Sequence, residues 1–188
     1  MDDQLDLFGA TTALPDGFKF EPELISPDEE RALVAAIREL PFQPFEFHGY
    51  TGKRRTVSFG WSYDFEREAL APTTPMPAFL QTLRDAAGRF AGRPAHELKQ
   101  VLVTEYDVGA GIGWHRDKGV FGDVIGISLL SSCSFRLRRR FGDGWERVTV
   151  EAAPRSAYLL AGAARLEWEH SIPEVDALRY SITYRTLR

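Results

Sequence analysis

The chain has 188 residues, of which 44% are hydrophobic and 27% charged, the balance of a single globular domain rather than a disordered chain. No apolar run approaches the roughly 20 residues that a membrane-spanning helix needs, and Met1-Asp2-Asp3 is acidic where a signal peptide is basic. Cys133 is the only cysteine, which excludes an internal disulfide. We therefore expect a cytoplasmic monomer with no membrane contact. The net charge of −4 argues against nucleic-acid binding driven by the charge of the whole molecule.

Residues 1–16 predict a flexible N-terminal tail, and residues 17–188 a single domain. Gln4-Leu5-Asp6-Leu7-Phe8 places three apolar side chains within the polar tail. Such a cluster near a terminus either docks on the domain or binds a partner. These five residues resemble the peptide by which bacterial replication and repair proteins hold the sliding clamp, which implies the clamp as a partner. Docking on the domain is the alternative.

Two helices are predicted in the first half of the domain. Ser26-Pro27-Asp28-Glu29 is a capping box with proline at the first helical position, and apolar residues at helical spacing extend the helix to about Glu39. A proline-punctuated loop at Ala71–Pro77 precedes the second amphipathic helix, which runs from Pro77 to about Phe90.

Between the helices, Thr56 to Tyr63 alternates as a strand. Val57, Phe59, Trp61 and Tyr63 would share one face. We expect Val57 and Phe59 to favour the core, whereas Trp61 and Tyr63 at the strand end are candidates to line a pocket.

After Pro94 the pattern changes to short β-like segments separated by Gly, Pro or Asp turns. The six predicted segments are Gln100–Tyr106, Asp123–Leu130, Ser134–Phe141, Trp145–Val150, Ala157–Ala161 and Leu178–Leu187. Helices followed by strands predict a mainly β, α+β fold, a jelly roll with the N-terminal helices packed outside.

Two basic clusters, Lys53-Arg54-Arg55 and Arg136 to Arg140, contain seven of the 23 Lys and Arg residues. Such clusters form a local phosphate-facing surface or protect exposed strand edges against aggregation. Both interpretations remain open at this point.

His115 and Asp117 are the first candidates for chemistry. In an extended backbone, residues two apart point to the same side, so this imidazole and carboxylate could bind one metal ion. His170 follows 55 residues later. Two histidines and one carboxylate form the facial triad of non-haem Fe(II) oxygenases, which leaves coordination positions for a cosubstrate and dioxygen. His48 and His96 lack a paired carboxylate at ligand spacing and are interpreted as surface residues.

The last strand carries Arg179 and Arg185, which share one face because their spacing is even. A small dicarboxylate inside a barrel would satisfy both, since bidentate arginine–carboxylate pairs are strong and directional. In the alternative, both arginines point to solvent, and Tyr180, Ile182 and Tyr184 form the buried face.

The order H-x-D, distal His and R-x5-R, preceded by an aromatic-rich strand and a Tyr before a glycine-rich turn, resembles the AlkB family of 2-oxoglutarate- and Fe(II)-dependent dioxygenases. The resemblance covers roughly Gly17 to Arg188 and implies a double-stranded β-helix. It implies that His115, Asp117 and His170 bind Fe(II), with Arg185 completing the catalytic set. It also implies roles in cosubstrate and substrate binding. The 2-oxoglutarate candidates are Tyr106, Arg179, Arg185, Thr104 and Ser181, and the substrate candidates are Phe59, Trp61, Tyr63, Arg116 and Lys118.

Three departures from the family pattern fall on the substrate and cosubstrate side. The best-known members have Asn-x-Tyr where this chain has Thr104-Glu105-Tyr106, and Asn where it has Ser181. Hydroxyl groups still donate hydrogen bonds, but they offer no amide. Gly119 occupies the position of a base-contacting acidic residue.

The implied activity uses O2 and 2-oxoglutarate to hydroxylate an N-alkyl carbon of DNA or RNA, with release of succinate, CO2 and an aldehyde, as in the repair of alkylation damage. A flipped-out base would stack on an aromatic side chain such as Trp61. One alternative is the same oxygenase chemistry on a protein or small molecule. The other is a non-catalytic barrel that senses a metal or a dicarboxylate.

Overall fold

The computed structural model describes residues 13–47, 50–65 and 67–188. Within them the chain forms thirteen strands, three α-helices and one short 3-10 helix. The strands are β1 (Phe18–Glu21), β2 (Gln43–Phe47), β3 (Tyr50–Phe59), β4 (Trp61–Asp64), β5 (Ala69–Pro72), β6 (Leu98–Tyr106), β7 (Ile112–His115), β8 (Phe121–Leu129), β9 (Cys133–Phe141), β10 (Gly144–Ala152), β11 (Ala157–Leu160), β12 (Glu169–Ile172) and β13 (Arg179–Leu187). The helices are α1 (Pro27–Arg38), α2 (Ala78–Ala91), α3 (Gly162–Leu166) and the 3-10 helix Ala95–Glu97.

Both predicted helices are confirmed to within a residue or two. The Ser26 hydroxyl accepts from the Glu29 N–H at 3.3 Å, and the Glu29 carboxylate accepts from the Ser26 N–H at 2.7 Å. This reciprocal pair satisfies two N–H groups that a helix start leaves free. The helix α2 ends at Gly92, which adopts a left-handed conformation with φ of 67°, the geometry that glycine accepts without steric cost.

Eleven of the thirteen strands in the described part of the chain form two antiparallel sheets that pack face to face. The large sheet has the order β1-β11-β8-β13-β6-β3-β2, and the small sheet has the order β10-β9-β12-β7. One hydrophobic cluster fills the space between them, and a second joins the outer face of the large sheet to α1 and α2. The mainly β jelly roll with helices outside is therefore confirmed.

The strand β13 lies in the middle of the large sheet, so both of its faces are buried. Tyr180, Ile182 and Tyr184 pack toward the helices, whereas Arg179 and Ser181 point to the interior between the sheets, where both are buried. The solvated-face interpretation of the two arginines is wrong: their face is covered by the small sheet, Arg179 is fully buried, and the Arg185 side chain is only 11% exposed.

The predicted strand Thr56–Tyr63 divides at Gly60, which has φ of 78°. A Cβ atom at this position would collide with the carbonyl oxygen of Lys99. The chain therefore leaves the large sheet at Gly60 and forms β4, which pairs only with β5 in a separate hairpin. The predicted loop Ala71–Pro77 therefore overlaps the end of this hairpin, because Ala71 and Pro72 belong to β5.

Two predictions concern residues that the structure does not describe. The candidate clamp peptide, residues 4–8, lies outside the described residues, as does His48. No helix in the described ranges is long and apolar enough to span a membrane.

Candidate active site between the two sheets

His115, Asp117 and His170 meet at one end of the small sheet. His115 ends β7 and lies opposite His170 of the neighbouring antiparallel strand β12, and their ring centroids are 4.2 Å apart. Asp117 follows two residues after the end of β7. One potential ligand atom from each side chain lies within 4.8 Å of the others. The three groups that the sequence singled out are thus brought together as a candidate metal centre.

The Asp117 carboxylate is held by Arg185 from the central strand. Nε of Arg185 donates to Oδ1 of Asp117 at 2.7 Å, and Nη2 lies 2.7 Å from the same oxygen as an ion pair, while Oδ2 lies 3.6 Å from Nε2 of His170. Burial alone would raise the pKa of Asp117, but the positive charge of Arg185, with a smaller contribution from His170, lowers it well below the ordinary value. The carboxylate is therefore ionised at neutral pH, the form that binds a cation.

Both histidines are neutral at neutral pH. Burial lowers the pKa of His115, and burial together with the nearby His115 lowers the pKa of His170 to about 3. Nδ1 of His115 lies 2.9 Å from the Gly113 carbonyl oxygen, which can only accept, so Nδ1 carries the proton and Nε2 keeps its lone pair for a metal. Two imidazole nitrogens and one carboxylate are the donor set that suits Fe(II) with open positions.

Arg179 lies deeper in the interior and lacks a complete set of partners. Its side chain is fully buried, and its Nε donates to Ser128 Oγ at 3.0 Å. Nη1 and Nη2 have no hydrogen-bond partner, and the guanidinium carbon lies 5.1 Å from the centre of the Tyr106 ring. An unpaired buried guanidinium is costly, so these two nitrogens fit an anion that accepts from both.

The other predicted cosubstrate residues surround Arg179 in the register of the large sheet. Arg179 pairs with Tyr106, and Ser181 pairs with Thr104, so all four side chains point to the same interior space. At the far end of β13, Arg185 also donates to the Gln100 amide oxygen at 2.8 Å. Gln100 and Ser128 were not predicted, because the polar residues of β6 and β8 do not alternate and so mark no interior polar face in the sequence.

A cavity of about 940 Å³ opens above His115 and Asp117. Of the predicted substrate residues, Tyr63, Arg116 and Lys118 line it. Further lining residues that the sequence analysis did not identify are Phe45, Arg54, Thr56, Ser58 and Phe65.

Phe59 and Trp61 do not line the cavity, which corrects their predicted place beside the substrate. Phe59 lies opposite Val101 and packs in the cluster under the helices, because the cavity side of β3 is its polar face with Arg54, Thr56 and Ser58. Beyond Gly60, Trp61 pairs with Pro72 at the base of the hairpin, whereas Tyr63 lies two residues further along the same strand and lines the cavity.

Aromatic rings and cations alternate around the cavity. The Arg54 guanidinium lies 4.4 Å from the Phe45 ring centre, and the Lys118 ammonium lies 5.4 Å from the Tyr63 ring and 5.5 Å from the Phe65 ring. These cation–π contacts hold the two positive charges against the aromatic rings of the cavity wall. The cavity can therefore accommodate a flat apolar group attached to an anion.

Arg165 of α3 supports the segment that carries Asp117. Its side chain is buried, and it donates to the carbonyl oxygens of Asp117, Lys118, Phe121 and Gly122 at 2.8–3.2 Å. Four acceptors on one guanidinium fix the course of the chain after the metal-binding carboxylate. Because α3 is only five residues long, no periodic pattern in the sequence could identify this residue.

A sequence profile described as the 2OG-Fe(II) oxygenase superfamily matches residues 21–185. The chain therefore belongs to the 2OG-Fe(II) oxygenase superfamily. Members use Fe(II), 2-oxoglutarate and O2, so the predicted dioxygenase class and its cofactors are confirmed, and the buried triad and the unpaired Arg179 fit these groups.

Curated relatives place the chain among the AlkB-like members. It is 26% identical over 195 residues to the alkylated DNA repair protein ALKBH8 homolog of Arabidopsis thaliana, covering 89% of this chain and 54% of that protein. It is 27% identical over 165 residues to the tRNA (carboxymethyluridine(34)-5-O)-methyltransferase ALKBH8 of Macaca fascicularis, covering 85% of this chain and 24% of that protein. The chain thus spans 54% and 24% of the lengths of these two relatives, and the predicted AlkB-like family is confirmed.

Solved structures show the same fold. OsALKBH1 superposes with a TM-score of 0.67 at 16% identity, covering 93% of this chain and 98% of that one. A Pseudomonas putida prolyl-4-hydroxylase superposes with a TM-score of 0.64 at 15% identity, covering 92% and 93%.

Proposed function

We propose that this dioxygenase oxidatively demethylates N-alkylated bases of DNA or RNA. The observation that carries the proposal is the cavity above His115 and Asp117, whose walls combine aromatic rings with Arg54 and Lys118. Rings of this kind stack on a flipped-out base, and fixed cations bind the adjoining phosphates. The ALKBH8 homolog of Arabidopsis thaliana is named as an alkylated DNA repair protein, which supports the same substrate class.

In this proposal His115, Asp117 and His170 hold Fe(II), and Arg179 binds the distal carboxylate of 2-oxoglutarate. When bound, iron and its cosubstrate supply the oxidising equivalent that hydroxylates the N-alkyl carbon, after which the hemiaminal releases an aldehyde. Arg185 orients Asp117 through one hydrogen bond and an ion-pair contact to the same carboxylate oxygen.

The remaining interior residues position the cosubstrate and limit the entry of water. Tyr106 lies under Arg179, and Thr104 and Ser181 offer hydroxyl groups beside it. Tyr63 and Phe65 form the wall that excludes water from the target carbon.

The test is formaldehyde release from oligonucleotides that contain 1-methyladenine or 3-methylcytosine. We expect release that requires 2-oxoglutarate and Fe(II) and that His115→Ala abolishes. A protein that converts 2-oxoglutarate to succinate but releases no formaldehyde from any DNA or RNA substrate would contradict the proposal.

That negative outcome would favour the same chemistry on a protein or a small molecule. Gly119 supports this second candidate, because the position offers no side chain to contact a base. Uncoupled succinate formation separates this case from an inactive protein.

A further inference from the structure

The outer face of the small sheet carries arginines that the active site does not use. Arg136, Arg138 and Arg140 alternate along β9 with Phe135 and Leu137, which are buried between the sheets. Successive side chains of a strand point to opposite faces. The three arginines therefore share the face that points away from the core.

Two tryptophans separate these arginines. The guanidinium carbons of Arg136 and Arg138 lie 5.1 and 4.3 Å from the centre of the Trp114 ring, and those of Arg138 and Arg140 lie 4.0 and 4.4 Å from the centre of the Trp145 ring. We call these five residues the Trp–Arg ladder. Cation–π contacts of this kind hold each guanidinium flat against a ring, so the cations are ordered before any ligand arrives.

The ladder keeps hydrogen-bonding capacity for an anion. Nε of Arg136 donates to Ser171 Oγ at 3.1 Å, and Nε of Arg138 donates to Glu169 at 2.7 Å. Among the described residues, the terminal nitrogens of both arginines form no hydrogen bond. Terminal guanidinium nitrogens bind phosphate oxygens in a bidentate manner.

The charge of this face is opposite to that of the whole protein. Arg147 lies opposite Arg138 in the register and adds a fourth cation, whereas the same face carries two carboxylates, Glu169 and Glu151. Among the described residues, only Arg138 of the four arginines forms an ion pair. A net positive surface in a chain of net charge −4 fits a polyanion.

The ladder is continuous with the active-site cavity. Trp114 is its first member, directly precedes His115, and lines the cavity. Arginines two positions apart recur about every 6.7 Å along a strand, close to the separation of consecutive phosphates in a nucleic-acid strand. A strand whose target base enters the cavity could therefore continue over Trp114 along β9.

We propose that the Trp–Arg ladder binds the phosphodiester backbone of a single-stranded nucleic acid beside the target nucleotide. This inference rests on the proposed function, because it uses the cavity to place the strand. It selects the phosphate-binding interpretation of the cluster at Arg136 to Arg140.

The experiment measures the affinity of the full chain for an unmodified, fluorescently labelled single strand of about 15 nucleotides, a length that covers typical single-strand sites. Arg140→Gln with Arg147→Gln removes two exposed charges. Each phosphate contact on a single strand contributes about 0.7 to the slope of log K against log salt. We expect the affinity of the double variant to fall roughly tenfold or more, and the slope to become shallower by about 1.4.

Two further variants test whether a loss of binding comes from this surface rather than from the lower net charge of the protein or from misfolding. Arg89→Gln with Lys99→Gln removes the same charge from exposed positions on α2 and β6, and should bind like the unmodified protein. Trp145→Leu keeps every charge but removes the support of Arg138 and Arg140, and should weaken binding with little change of slope. Thermal unfolding of each variant verifies the fold.

If the variant with Arg140→Gln and Arg147→Gln binds the oligonucleotide with the same affinity and salt slope as the unmodified protein, the inference is overturned. The proposed function still stands in that case if formaldehyde is released. If the substitutions weaken oligonucleotide binding but the protein demethylates no nucleic acid, the binding role of the ladder is supported and the proposed function is contradicted. Ladder-dependent binding of polyglutamate but not of the oligonucleotide would also overturn the inference, since the surface would then serve an acidic protein.

Discussion

Two buried arginines of this protein should respond in opposite directions to the same substitution. The Arg179 side chain is fully buried, and its Nη1 and Nη2 have no hydrogen-bond partner. In Arg165, the guanidinium donates to four carbonyl oxygens. Replacing each by Met keeps an unbranched apolar side chain and removes the guanidinium with its charge.

Arg179→Met removes an unpaired buried charge, which by itself raises the free energy of unfolding. Apolar replacements of buried ions stabilise proteins by about 1–4 kcal/mol. The lost hydrogen bond to Ser128 costs about 1 kcal/mol, and the lost contact with Tyr106 costs about 0.5–2 kcal/mol. Water that enters the ligand-free site lowers the gain further. We expect the ligand-free variant to be as stable as the unmodified protein or more stable by about 1–2 kcal/mol.

For Arg165→Met, four carbonyl oxygens lose a charged donor. Hydrogen bonds to charged groups contribute about 1.5–3 kcal/mol each, and the carbonyl groups near the surface regain part of this from water. We expect a loss of about 3–5 kcal/mol.

Urea unfolding of the ligand-free proteins measures both free energies. A second series, without oxygen and with Fe(II) in every sample, adds 2-oxoglutarate at about 100 times its dissociation constant, where a ligand stabilises by about 2.7 kcal/mol. The unmodified protein should gain this amount and Arg179→Met should not. A ligand-free Arg179→Met protein that is less stable by more than about 2 kcal/mol would refute the assignment of an uncompensated charge.

The remaining predictions concern packing, capping and the N-terminal segment. Gly126→Ala should destabilise by about 1–3 kcal/mol in thermal unfolding, because the added Cβ would collide with the buried Tyr158 ring; an unchanged melting temperature would contradict this. Ser26→Ala should cost about 1 kcal/mol in urea unfolding with iron binding unaffected, and a loss of iron binding would be inconsistent with a purely local cap. A peptide of residues 1–10 should bind the sliding clamp, and Phe8→Ala should abolish that binding in a calorimetric titration; equal binding by both peptides would exclude the interaction.

Sequence patterns predicted the central elements because local chemistry and tertiary position agree there. The capping box at Ser26 satisfies the helix start without help from other elements. The even spacing of Arg179 and Arg185 correctly predicted a shared face, since β13 is regular between them. Periodicity alone could not decide between a buried and an exposed face, because it does not report which strands flank β13.

The errors arise where distant parts of the chain decide the outcome. Alternation through Gly60 predicted one strand, but the close approach of Lys99 imposes the break. The same break separates Phe59, which packs in the core as the alternation with Val57 predicted, from Trp61, which lies at the hairpin base. Arg165 was not identified because its partners lie more than forty residues earlier in the chain, a separation that no local pattern records.

The glycine at position 60 also bears on how such an enzyme can change its substrate. The hairpin of β4 and β5 pairs only with itself, yet it places Tyr63 over the cavity whose floor carries His115 and Asp117. Substitutions in the hairpin therefore alter the wall that meets the substrate while the register of the large sheet stays intact. One part of the cavity wall thus belongs to an element outside the large and small sheets, an arrangement in which selection can reshape that part without disturbing the residues around the candidate metal centre.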